Sequence, residues 1–228
     1  MSTLNTAFKQ VFGEALEPLG FKLIKSKYPY FVRVVEGGEI LHIITYREEG
    51  LNRIGYISFN ILGGVATVYR PSLADLEKSP SVNINWLKGN LELYEKSKSL
   101  NNKYDFSFDD LYMFHYKEET IVESVKHSLE ITKKIMLPSL DAVIDLNSCI
   151  KYLETVKPHL GIGRPIDINR FITLSYDEGL LYVKTNNLDV GFYDKVYYDP
   201  ELYSKYINEL ERRKATNTEI LKSFGFNI

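Results

Sequence analysis

Asp109, Asp110, His115, Glu118 and Glu119 fall close together in the stretch "FDDLYMFHYKEE". Carboxylates beside one imidazole form a donor set that magnesium, manganese or zinc accepts, so Asp109, Asp110, His115 and Glu118 are the candidate ligands if the chain holds a metal. A hydrolase or other enzyme built on this chain would have its site here. The same residues have a plainer reading. Asp109 and Asp110 suit a turn, His115 suits packing in a strand, and Glu118 and Glu119 suit the start of a helix, where the macrodipole favours negative charge. Nothing in the spacing closes a ligand set, so neither a metal nor a cofactor is expected. The remaining histidines, His42, His127 and His159, are too scattered for a short-spaced metal motif. The HEXXH, paired CXXC and GXSXG patterns do not occur. "GIGRP" at 161–165 lacks the preceding strand and following helix of a phosphate loop and reads as a turn.

A second constellation is aromatic. The chain has 17 Tyr and 12 Phe, and they are densest in "DVGFYDKVYYDPELYSKY". There Tyr193, Tyr197 and Tyr198 alternate with Asp194, Asp199 and Glu201. Tyrosine buries a large apolar ring at low entropic cost and keeps a hydrogen-bonding tip, which suits a protein interface, and the acidic neighbours would steer towards a basic partner. Those six residues are the candidate partner-binding set. Tyrosine also fills sheet edges and helix flanks in ordinary proteins, which is the competing reading.

Bulk properties narrow the classes. A hydrophobic fraction of 44% and a charged fraction of 25% over 228 residues describe a packed globular chain, neither disordered nor fibrous. A net charge of -2 supplies no general attraction to nucleic acid or anionic lipid. No apolar run is long enough to span a bilayer, and "MSTLNTAFKQVFGEALEP" lacks the basic start and apolar core of a secretory leader. Cys149, the only cysteine, lies in "LNSCIKYL" and reads as a small core residue, so no internal disulfide or thiolate-clustered zinc site is possible. A cytoplasmic location is expected.

The elements that must position these residues follow from periodicity. Leu4, Phe8, Val11, Phe12, Leu16 and Leu19 recur at helical spacing, Pro18 should stop or kink that helix near Glu17, and Gly20 with Phe21 supplies a helix-ending cap. Strands are predicted from Phe21 to Ser26, from Tyr30 to Val35 and over "EILHIITY", with Gly37-Gly38 as a two-residue hairpin connection. "REEGLNR" reads as a polar loop, "IGYISFNIL" as the next strand, and Gly63-Gly64 as a turn or a bulge. Residues 71–105 form an irregular insertion in which Trp86 is a packing anchor, and "LYMFHY" reads as a strand covered on both faces. A long helix from about Lys117 should carry Ile121, Val122, Val125, Leu129, Thr132 and Met136 to a stop at Pro138. A further helix is predicted from about Leu140 to Val156, with Val143, Ile144, Leu146, Ile150 and Leu153 on its apolar side. "PELYSKYINELERRK" reads as a helix with Leu202, Tyr206 and Leu210 aligned. The ending "TEILKSFGFNI" echoes "EALEPLGFKLI", and shared helix-capping chemistry accounts for the echo without a duplication. The predicted class is α+β: an antiparallel β-meander with helices packed mainly on one face, a core over 1–158 and a mixed, mainly helical extension over 159–228.

The run "EALEPLGFKLIKSKYPYFVRVVEGGEILHIITYREE", the strand "IGYISFNILGG" and the helical "IVESVKHSLEITKKIMLPSLDAV" resemble a family of bacterial domains of unknown function, over about residues 1–150. The family is built as a helix, a Gly-Phe step, an Arg-bearing hairpin and a meander, and some members are immunity proteins of bacterial toxin systems. The resemblance implies a non-enzymatic, protein-binding role, such as an inhibitor of a toxin. It carries over no catalytic residue and does not reach 160–228.

Overall fold

The computed structural model describes residues 3–24, 29–51, 57–69, 73, 114–116, 118–146, 148 and 200–228. Trp86, Asp109, Asp110, Cys149, the "GIGRP" turn and the insertion at 71–105 other than Leu73 lie outside these residues. The backbone divides into two compact units. One comprises Met1–Val34, His42–Val65 and Leu76–Ala142, the other Val35–Leu41, Ala66–Asp75 and Val143–Ile228.

Helix α1 (Thr3–Leu16) buries Leu4, Phe8, Val11, Phe12 and Leu16, the stripe its spacing predicts. Leu19 departs from that stripe and is 45% exposed. Pro18 tightens the chain into a 3-10 turn over Glu17–Leu19, and three residues per turn rotate Leu19 off the apolar face. Gly20 then adopts φ 85° and donates to the Glu17 carbonyl at 3.0 Å, while the Phe21 amide reaches Leu16 at 3.2 Å. These paired bonds are a Schellman cap. Helix α4 (Pro200–Ser223) ends identically: Gly225 has φ 85° and donates to Lys222 at 2.8 Å, and Phe226 donates to Leu221 at 3.1 Å. In both caps the leucine and the phenylalanine are buried.

Five strands, β1 (Lys22–Ile24), β2 (Tyr30–Val34), β3 (Ile40–Leu51), β4 (Ile57–Thr67) and β5 (Phe114–Tyr116), lie side by side in chain order. Lys22 pairs with Val32 across β1 and β2, and Ser58 with His115 across β4 and β5, both antiparallel. The α+β meander is therefore as predicted. Phe8 stacks on Phe12 at 4.1 Å between ring centroids and meets Tyr46 at 4.8 Å and Phe31 at 5.8 Å. Alternation along each strand then puts Arg33, two positions from Phe31, and His42, four from Tyr46, on the same face as α1. Tyr30, Val32, Leu41 and Ile43, which alternate with them, are also buried.

Three strand details differ from expectation. Val35 accepts from Gly38 and donates to Ile40, both at 2.9 Å, so the hairpin loop runs from Glu36 to Glu39 and is longer than the Gly37-Gly38 pair. Both glycines nevertheless have positive φ, 94° and 73°. "REEG" belongs to β3, with Arg47 and Glu48 exposed beyond the buried part of the strand, where backbone pairing needs no apolar side chain. Gly63-Gly64 makes no turn: β4 runs through both residues. A Cβ on Gly63 would overlap the Met136 sulfur, so the glycine admits a helix side chain against the strand.

The hairpin offers a direct test. At Gly37 an added Cβ meets no atom within 4 Å, so the cost of substitution there is backbone strain alone. Replacing Gly37 and Gly38 together with Val should destabilise the protein by more than about 1 kcal/mol, because β-branched residues resist positive φ. Urea unfolding would measure it, and an unchanged midpoint would reject the geometry.

Helix α2 (Ile121–Ile131) follows a 3-10 turn at Glu118–Thr120 and buries Ile121, Val125 and Leu129, while Val122 is 45% exposed. It packs against α1, and its His127 ring meets Phe114 edge-on at 6.0 Å. Pro138 does not end the helical run. The turn at Thr132–Met136 widens into a π-helix, with the Leu137 amide bonded to the Thr132 carbonyl, and α3 (Leu137–Asp141) continues with proline in its first turn. Proline is excluded from a helix interior because its ring meets the carbonyl four residues back and its nitrogen has no hydrogen to donate; the widened turn relieves that conflict. The predicted helix start at Leu140 is displaced as well. The chain leaves the helix after Asp141, and Asp145 and Ser148 cap each other reciprocally, Ser148 N to Asp145 Oδ1 at 2.7 Å and Asp145 N to Ser148 Oγ at 2.9 Å. Ile144, expected on an apolar helix face, is 58% exposed ahead of this cap.

Candidate functional site

Of the predicted metal-type residues, His115 lies in β5 and Glu118 and Glu119 in the 3-10 turn that opens α2, with Glu119 exposed. Asp109 and Asp110 are outside the described residues. Among the described residues no three His, Cys, Asp or Glu side chains converge as metal ligands, and no helix is long and apolar enough to cross a membrane. Of the partner-binding set, Glu201 is exposed in the first turn of α4, while Tyr193, Asp194, Tyr197, Tyr198 and Asp199 lie outside the described residues.

The structure assembles a polar cluster that periodicity does not single out. Glu39 comes from the hairpin, Tyr69 from just beyond β4, and Lys214 from α4. Tyr69 Oη donates to Glu39 Oε1 at 2.5 Å, and Lys214 Nζ donates to the same oxygen at 2.9 Å. Lys214 Nζ also lies 3.5 Å from Tyr69 Oη and 5.6 Å from the tyrosine ring centre. Burial together with the bond to Glu39 pushes the Tyr69 hydroxyl up to about 12. The bond to Glu39 leads the rise at Lys214. At Glu39 burial works against the charge, but the bonds from Tyr69 and Lys214 outweigh it and the carboxyl titrates below its ordinary range.

These directions define what the cluster can do. A general base or nucleophile needs a lysine or tyrosine that gives up its proton near neutrality. Here both hold their protons more firmly than they would in water, and Glu39 holds its charge. The geometry is that of a clamp. One turn further along α4, Asn217 completes it: Nδ2 donates to the Val68 carbonyl at 2.7 Å and Oδ1 accepts from the Leu73 amide at 3.0 Å. Asn217 is 1% exposed, and Leu210 and Leu221 flank it on the buried side of the helix. Arg212 and Arg213 both bond Glu209 and hold its carboxyl down at about 2, and Arg213 also reaches the Tyr69 carbonyl at 3.5 Å.

The clamp predicts a pH signature. A hydroxyl with a raised folded value binds its proton more tightly in the native chain, so its contribution is complete below pH 10 and is lost as the pH climbs from 10 to about 12. Lys214 acts in the same direction above its ordinary value of 10.5. Tyr69→Phe should cost about 1.5 kcal/mol at neutral pH, the scale of a hydrogen bond to a charged group. The gap between the wild-type and Tyr69→Phe urea midpoints should then narrow as the pH rises through that window. A gap independent of pH would refute the bond.

A second cluster lies in the other unit and centres on Arg33. Its Nη2 lies 2.8 Å and its Nε 3.3 Å from His42 Nδ1, its Nη2 bonds the Asp141 carboxylate, and its Nη1 reaches the Leu19 carbonyl at 3.4 Å. The guanidinium carbon sits 4.6 Å from the centre of the Phe21 ring. The sequence signal for both clusters is modest: Arg33 and His42 are polar residues inside runs that otherwise read as buried strand, and Asn217 interrupts an apolar helix stripe.

No family model, curated protein or solved structure matches this chain.

Proposed function

We propose that this chain is a protein-binding module of the immunity type, which acts by occupying a basic surface on its partner, and that recognition runs through residues 192–206. The observation that carries the reading is the anchoring of α4. Leu210, Lys214, Asn217 and Leu221 fix the later part of the helix to its unit, while Glu201 and Ser204 at its start are exposed. In sequence that start follows directly on the tyrosine-rich acidic stretch, whose composition best suits an interface. The resemblance to a family with immunity members points the same way. The chemistry of the Glu39, Tyr69 and Lys214 cluster, poised away from proton transfer, agrees with a binding role.

The test is binding to the product of the adjacent gene, measured by calorimetry and surface kinetics. A complex should form, and Tyr197→Ala with Tyr198→Ala should weaken it by about 2 kcal/mol, roughly thirtyfold, because a few aromatic anchors usually dominate an interface. Asp194→Asn with Asp199→Asn should mainly slow association and flatten its salt dependence. Full affinity in the folded tyrosine variant would defeat the proposal.

A further inference from the structure

We draw no further inference here: the strongest candidate, the Glu39, Tyr69 and Lys214 side-chain cluster between the hairpin and α4, belongs to the site already described and adds no chemistry to it.

Discussion

Asn217→Ala is expected to destabilise the protein by about 3 kcal/mol, because it orphans two buried backbone groups at once, each at a cost of about 1–3 kcal/mol. The Val68 carbonyl loses its donor and the Leu73 amide its acceptor, and neither bond can be replaced by packing. Asn217→Leu separates the two explanations. Leucine matches the neighbouring Leu210 and Leu221 and restores volume, so if the position served only as filler this variant would approach wild type. It should instead lose as much as alanine does. Asn217→Asp should also fail, since a carboxylate can accept from Leu73 but meets the Val68 carbonyl with a second acceptor, and carries a buried charge. Urea midpoints of the three variants decide the matter; a leucine variant near wild type would remove Asn217 from the clamp.

That residue also marks where sequence reasoning stops. The local signals were legible: Gly20-Phe21 and Gly225-Phe226 announce helix ends through the left-handed residue that a cap requires, and Phe8 and Phe12 announce a buried face. Neighbour rules carry that information. Pro138 misled because the rule that proline ends a helix assumes regular α-geometry, and the π turn at Thr132–Met136 supplies another solution. Gly63 does not mark a turn, and part of its role was hidden for a different reason: its lack of a side chain admits Met136, which is remote in sequence. The polar clusters were invisible for the same cause. Arg33 and Asp141 are 108 positions apart and Glu39 and Lys214 are 175 apart, and no periodicity links such distances. What a single sequence did offer was the anomaly itself, a polar residue where the pattern asks for an apolar one.

Phe8→Ala should have the largest effect of any single truncation considered, about 4 kcal/mol, with Phe8→Leu near 1.5 kcal/mol. Phe8 is fully buried and touches three other rings contributed by α1 itself, β2 and β3. Its removal costs the transfer of the ring from water and leaves a cavity lined by Phe12, Phe31 and Tyr46, groups fixed by separate elements that cannot all collapse into it. The distinction between a shared ring cluster and simple area burial is open to measurement. In a double-mutant cycle with Tyr46→Leu, rings held 4.8 Å apart should show a coupling of about 0.5–1.5 kcal/mol beyond additivity. Full additivity at Phe8 and Tyr46 would reduce the cluster to independent apolar contacts, and α1 would then be held to the sheet by area alone.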